Sequence, residues 1–291
     1  MAAKLKFGVR LNIQGEMGAK SFGFDYTLEM ARLAESLGFD SVWIPDHVEN
    51  AHLDRSKPIL EFWTTLSAVG AMTERVRLGG HAMNNTFRHP GLTAKIACTL
   101  DQITGGRVIL VPGSGWFAAE SKAYGFKEWS DDGLVRIGRL NESLHVMRGL
   151  MTEGVFSFEG EHFRLKNAYC NPKPVQKPHP PIYVAAVSPS TYQWVIQSGY
   201  DVLSSFLEPY EKVFENYRNF HTEAEAANLS GKLELPLARF LYVSDTMEKA
   251  REECRESLMW YFQTLLAEVI APPPEIAPPG QLDFYLELKR K

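Results

Sequence analysis

The sequence predicts a single α/β barrel, and three observations carry that prediction. Helix-period segments end at glycine and give way at once to short β-branched runs, and this unit recurs along the chain. The candidate strands are continuous apolar runs, as expected of parallel strands buried on both faces. Strands alternating with helices imply right-handed crossovers and one parallel sheet. Such a sheet either closes into a barrel or stays open and doubly wound. Seven units with no break in composition favour closure, and 291 residues suit a one-domain barrel.

The first strand is Phe7–Leu11. Phe24–Leu37 follows as a helix, with Met30, Leu33, Ala34 and Leu37 on one face and Gly38 placed to stop it. Ser41–Pro45 and Val76–Gly80 are the second and third strands. Pro90, a favoured first helical residue, opens a helix whose Leu92, Ile96, Leu100 and Ile103 share a face and which ends at Gly105-Gly106. Arg107–Val111 is the fourth strand, followed by a helix around Ile137, Leu140, Leu144 and Met147. Ile182–Ala186 is the fifth, Thr191–Ser198 a short helix closed by Gly199, and Val202–Ser205 the sixth. Arg239–Val243 is the seventh, and the helix Met247–Phe262 follows it.

Residues 155–181 interrupt the rhythm before strand five. They read as a hairpin around Glu159-Gly160 and an extended return in which five prolines between Pro172 and Pro181 forbid a helix. An insertion of this length is expected to cover the barrel mouth. The barrel then spans residues 1–262, and 263–291 form a Pro-rich, partly irregular tail. No eighth βα unit is found in this chain.

Hydrophobic residues at 45% and charged residues at 23% place the chain among globular proteins, not disordered ones. A balance of 31 basic against 35 acidic residues gives a net charge of −4, without the basic excess of a nucleic-acid binder. No apolar run has the length of a membrane span, and the N-terminus does not read as a signal peptide. Cys98, Cys170 and Cys254 are odd in number and far apart, which makes no disulfide framework. The expectation is a soluble, cytoplasmic protein, and helices with broad apolar faces suggest a homodimer.

In a barrel the reactive groups lie at the carboxyl ends of the strands. Those positions hold Asn12; Asp46 and His47; His81 and Asn84; Gly113, Ser114, Gly115 and Trp116; Ala185, Ala186, Val187 and Ser188; and Ser204 and Ser205. Plainer readings stand beside these. Asp46-His47 also fits a helix cap next to a surface histidine, His81 a buried core histidine, and His89 the cap of the helix at Pro90. GSGWFA matches G-x-G-x-x-A, but it follows the fourth strand and Trp116 would crowd a pyrophosphate. It reads better as a glycine loop that lets a ring system approach the backbone. Ala185–Ser188 suits either a phosphate at a helix N-terminus or a tight turn. H-x-H, H-x-x-x-H, C-x-x-C, G-x-S-x-G and Walker A motifs are all absent, so no metal site or nucleophile elbow is expected. What remains suits a cofactor that brings its own chemistry.

The series strand-Asp-His in SLGFDSVWIPDH, then His-Pro, TLDQITGGR, GSGWFAAESKAYG and KPVQKPHPPIYVA resembles the luciferase-like flavin-dependent monooxygenases and deazaflavin-dependent oxidoreductases. The likeness runs from Lys6 to about Phe262. It implies a TIM-type (β/α)8 barrel with the flavin across its mouth. It places Asp46 and His47 in the site and His81 to Asn84 beside the ring. Gly113 to Trp116 lie near the ring, and Ala185 to Ser188 receive the phosphate. Glu120 and Tyr124, in a W-x-x-x-E-x-x-x-Y pattern, would edge the substrate side. Trp116, Phe117 and Trp43 would supply an apolar wall, and His47 or His81 a proton. The implied activity is a monooxygenase that takes reduced FMN from a separate reductase and oxidises a small organic substrate with O2. The alternatives are hydride transfer from the deazaflavin coenzyme F-420, and flavin binding without turnover. A deazaflavin tail is acidic, and the rim cations that would meet it are Arg55, Lys57, Lys173 and Lys177. Several aromatics near the glycine loop favour FMN.

Overall fold

The structure, a computed structural model, describes residues 5–13, 16–17, 20–21, 23–50, 55–186, 189–204, 206 and 210–261. They fall into two units, one of residues 1–48 and 58–238 and one of residues 49–57 and 239–291. The expected boundary at 262 and the tail beyond it lie outside the described residues.

In the first unit, strands β1 (Gly8–Arg10), β2 (Ser41–Ile44), β3 (Arg77–Gly80) and β4 (Val108–Ile109) form a parallel sheet in that order. A hairpin, β5 (Phe156–Glu159) and β6 (Arg164–Ala168), is followed by the parallel pair β7 (Tyr183–Ala185) and β8 (Asp201–Leu203). A parallel bridge between Leu110 and Ile182 joins β4 to β7. Six of the seven expected strands therefore fall where the apolar runs placed them.

The seventh does not. Residues 239–243 have no strand structure and belong to the second unit. The sheet continues earlier: the Val202 and Ser204 N–H groups donate to the Glu234 and Pro236 carbonyls at 3.2 and 3.4 Å. Pro236 has no N–H to give to a ladder, so this edge pairs through carbonyls and reads poorly as a strand.

This sheet curls. Trp43 on β2 and Tyr183 on β7 are three strand steps apart, about 14 Å on a flat sheet, yet their ring centroids lie 6.5 Å apart. Ile109, Val111, Tyr183 and Leu203 form one inner cluster with Trp43 and Ala82, the filled interior of a barrel. Alternate residues Val42, Ile44, Leu78, Val108 and Val184 face the larger core between sheet and helices.

The helices begin and end for local reasons. In α1 (Phe24–Ser36) the buried face is Thr27, Leu28, Ala31 and Ala34, and Gly38 follows at φ +87. Helix α2 (Phe62–Ala71), not expected from the sequence, starts where the Glu61 carboxylate accepts from the Thr64 N–H at 2.7 Å. Helix α3 (Pro90–Ile103) is capped by His89, whose Nδ1 accepts from the Gly91 N–H at 3.1 Å. That assigns His89 to structure. Short α4 (Ala118–Ala123) and long α5 (Gly133–Thr152) follow, then α6 (Pro189–Gln197) and α7 (Tyr210–Ala226). In the second unit, α8 (Met247–Trp260) starts where Thr246 Oγ1 accepts from the Lys249 N–H.

The insertion does not cover the mouth. Glu142 of α5 accepts from the N–H groups of Glu161, His162 and Phe163, pinning the hairpin tip to that helix. The Pro-rich return then runs to the amino end of β4, where Gln176 Nε2 donates to Asp101 Oδ1 at 2.7 Å and to the Val108 carbonyl at 2.8 Å. The buried Asp101 carboxylate needs these donors, which holds the strap away from the carboxyl ends. Cys98 and Cys170, 72 positions apart, come within 3.7 Å as buried free thiols, and burial pushes the Cys98 thiol up to about 12.

Candidate active site

At the carboxyl ends of β2 and β3, Pro45 turns the chain outward and leaves Asp46 and His47 buried on the loop. The Asp46 carboxylate accepts from Arg88 twice, at 2.7 and 3.1 Å, and from the Asn84 N–H at 3.0 Å. Burial pushes the Asp46 carboxyl above its ordinary value, and the Arg88 pair offsets part of that shift. Arg88 also bonds Glu61 at 2.7 Å, which ties the start of α2 to the same loop. Asp46 is therefore a strut between two loops. Arg88 was not anticipated, because it finds Asp46 across 42 positions with no local pattern to announce it.

Asn84 links this strut to the glycine loop. Met83-Asn84 pairs in parallel with Pro112-Gly113. Asn84 Oδ1 accepts from the Thr86 N–H and hydroxyl. Gly115 sits at φ +83, where a Cβ would come within 2.8 Å of Asn84 Oδ1, so both conformation and space demand glycine there. A Cβ at Gly113 would meet the methyls of Ala82 and Ala185 at 3.4 and 3.6 Å and the Met83 carbonyl oxygen at 3.7 Å. Ala82, Gly113 and Ala185 thus form a floor of small residues that fits one face of a planar ring. Ser114 lies beside it, partly exposed.

His47 packs against Trp116 at the end of the glycine loop. Its Nδ1 is 2.9 Å from Glu120 Oε1, and Glu120 Oε2 accepts from the Val48 N–H at 3.1 Å. Trp116 and Phe117 flank the imidazole edge-on, with centroids 5.6 and 6.5 Å away. Glu120, expected on the substrate side, is fully buried with both oxygens engaged. Short α4 delivers it behind His47, where it holds the ring rather than touching a ligand. With Nδ1–H given to that carboxylate, Nε2 is the ring nitrogen left for another partner.

Of the other expected site residues, Tyr124 is half exposed, and its hydroxyl donates to the Val48 carbonyl at 3.2 Å. Trp43 lies across Gly8 and Gly79, whose added Cβ atoms would each fall 2.4 Å from its ring, and its Nε1 donates to Ser41 Oγ at 2.8 Å. It fills the barrel interior. The Ala186 N–H is spent on the Leu203 carbonyl and is not offered to a phosphate. Val187, Ser188 and Ser205 lie outside the described residues. The Asn12 carbonyl accepts from Thr27, and Ser204 Oγ donates to the Pro236 carbonyl. Lys173 and Lys177 donate to carbonyls of the insertion and α5, away from any rim, and Arg55 pairs with Glu49 in the second unit.

His81 ends β3 on the inner face, joined to Ala82 by a cis peptide bond, with its ring 5.5 Å from that of Phe206. Burial, and to a smaller extent the Arg10 charge, lower it to about 4, so it is neutral at pH 7. Among the described residues no group of histidine, cysteine and carboxylate side chains could hold a metal ion. No helix among them is long and apolar enough to cross a membrane.

The family described as luciferase-like monooxygenase matches residues 5–281 of this chain. An F420-dependent glucose-6-phosphate dehydrogenase of Intrasporangium calvum is 35% identical over 198 residues, 65% of this chain and 56% of that protein. An FMNH(2)-dependent dimethylsulfone monooxygenase of Pseudomonas putida is 27% identical over 259 residues, 86% of this chain and 64% of that one. The chain spans about half the length of the curated dehydrogenases it matches. In fold it is similar to monooxygenase RslO1 from Streptomyces bottropensis, with TM-score 0.77 and 24% identity over 98% of this chain and 83% of that one. An F420-dependent secondary alcohol dehydrogenase gives TM-score 0.76 and 23% identity over 99% and 84%. The fold is that of the luciferase-like TIM-type barrels.

Proposed function

We propose, on the premise that this chain belongs to the luciferase-like monooxygenase family, that it takes reduced FMN from a separate reductase and oxidises a small organic substrate with O2. The observation that carries this reading is the walled histidine: His47 held by Glu120 at 2.9 Å and flanked by Trp116 and Phe117 beside a floor of small residues. A flavin bound there supplies the electrons that activate oxygen. The chain's own residues do the rest. Ala82, Gly113 and Ala185 leave a flat surface for the ring, and Trp116 and Phe117 keep water from it. Glu120 fixes the His47 tautomer, so the proton exchanged with the ligand moves at Nε2. The Asp46–Arg88 pair and Asn84 keep floor and wall in register. His81, neutral at working pH, is a hydrogen-bonding partner rather than an acid. Tyr124 borders the substrate side.

The deazaflavin reading is favoured by the F420-dependent relative at 35% identity. The aromatic wall supports the FMN reading, because it shields an oxygen-sensitive site that hydride transfer does not need. A reductase-coupled assay separates them. Oxygen uptake that yields oxidised substrate supports the monooxygenase, whereas substrate-dependent turnover of the deazaflavin without oxygen replaces it. The exposed stripe of Tyr210, Phe214 and Tyr217 on α7 supports a homodimer, and a monomeric mass by light scattering would remove that part.

A further inference from the structure

Cys98 and Cys170 form a cluster that the mouth does not use. Cys98 lies on α3, Cys170 follows β6 at the start of the Pro-rich return, and both are buried in the main core, 0 and 3% exposed. Hydrogen bonds fix the two segments on either side of the thiols. One turn before Cys98, the Lys95 ammonium donates to the Asn171 carbonyl. One turn after it, Gln102 Nε2 donates to the Lys173 carbonyl at 2.8 Å, and Asp101 accepts from the Gln176 N–H at 3.0 Å. Lys173 in turn donates to the Leu150 carbonyl of α5 at 2.7 Å. The sulfurs are therefore brought to 3.7 Å by contacts that are not their own. A disulfide bond measures about 2.05 Å, which leaves each sulfur less than about 1 Å to travel.

We infer that Cys98 and Cys170 are a modification site, converted by hydrogen peroxide into an intramolecular disulfide that fastens the Pro-rich return to α3. The step balances with peroxide as the oxidant. One thiol gives up its proton and its sulfur attacks a peroxide oxygen. The O–O bond breaks, leaving a sulfenic acid and a hydroxide that takes the proton to become water. The second thiol sulfur then attacks the sulfenic sulfur, the S–O bond breaks, and the oxygen departs as water with that thiol's proton. Two thiols lose two electrons in all, and one peroxide becomes two waters. Burial selects the oxidant, because hydrogen peroxide is little larger than water, whereas oxidised glutathione needs an open thiol. Burial also pushes the Cys98 thiol up to about 12, which keeps the thiolate scarce and the first step slow. The pair answers to sustained exposure, and the neighbouring thiol captures the sulfenic acid before it oxidises further. This site stands on its own geometry and is independent of the flavin reading.

The test uses the full chain carrying Cys254→Ser, which removes the one other thiol. The folded protein is held in hydrogen peroxide without cofactor, then unfolded, alkylated and weighed by mass spectrometry. The expected product resists alkylation, has lost two hydrogens, and yields on digestion one peptide pair joined through Cys98 and Cys170 that dithiothreitol separates. Its urea midpoint is expected to lie about 0.5 M or more above that of the dithiothreitol-reduced protein. Cys170→Ala in the same background, treated alike, is expected to show no joined peptides and no such rise. Two thiols still free after peroxide treatment of the folded protein, with the disulfide formed only in urea, overturn the proposal. Oxidation to sulfinic acid without a joined peptide overturns it as well. A joined pair whose urea midpoint falls below that of the reduced protein also overturns it, since the bond would then distort the strap rather than fasten it.

Discussion

Glu120 Oε1 and His47 Nδ1 meet at 2.9 Å across 73 positions of sequence, and the carboxylate is fully buried while the imidazole lies beside the floor of the mouth. The same Glu120 side chain also fixes the Val48 backbone through its second oxygen. Glu120→Ala strands the Val48 N–H and the His47 ring, and is expected to cost about 2–4 kcal/mol of stability. Glu120→Gln keeps one partner for each and should cost less, yet lose about tenfold to a hundredfold in turnover through the disturbed tautomer. Urea unfolding and turnover of the two variants separate these roles.

Arg88 neutralises a carboxylate buried between two loops. Arg88→Ala is expected to destabilise the protein by about 3–5 kcal/mol, because it leaves Asp46 buried and alone. The sign with pH follows from the raised Asp46 value. A carboxyl whose folded value lies above its unfolded one penalises the fold once pH exceeds the unfolded value, so the deficit of Arg88→Ala should be larger at pH 8 than at pH 4. A deficit independent of pH would assign the loss to packing instead.

His81 makes the opposite prediction in acid. Its folded value of about 4 lies below that of a free imidazole, so the unfolded chain takes up the proton first. Stability contributed by the neutral ring is full above about pH 6.5 and falls as the pH drops toward 4, by up to about 3 kcal/mol. His81→Asn should flatten that window of the urea midpoint against pH, and an unchanged profile would contradict the assignment.

The two glycines of the mouth should respond differently. Gly115→Ala places a methyl 2.8 Å from Asn84 Oδ1 at a positive φ, and should lower the melting temperature. Gly113→Ala meets only ordinary contacts at 3.4, 3.6 and 3.7 Å and should leave stability within about 0.5 kcal/mol. Gly113→Leu, with the fold retained, should then block the floor.

How much of this was legible in the sequence depends on the range of the interaction. The strand at Ser41–Ile44, the cap and proline that open α3, and the Asp46-His47 pair at a strand end were readable because each is fixed by neighbours in the chain. The Glu120–His47 and Arg88–Asp46 pairs were not, since their partners are 73 and 42 positions apart. The motif TLDQITGGR, one of the pieces that carry the family resemblance, is architectural. Its Asp101 binds Gln176, and its Arg107 clamps the carbonyls of Gly70, Thr73 and Val76. The strand expected at Arg239–Val243 failed. Its apolar run satisfied propensity, but the open N–H groups of Val202 and Ser204 had already been met by residues 234 and 236.

The central claim is that the mouth between His47 and Gly113 binds reduced flavin. Anaerobic titration of the wild type and Gly113→Leu with reduced FMN, and separately with reduced deazaflavin, tests it most directly. The account predicts micromolar binding of reduced FMN by the wild type, weaker binding of the deazaflavin, and loss of both in Gly113→Leu at an unchanged melting temperature. Equal FMN binding by the two proteins, or none by the wild type, would contradict it.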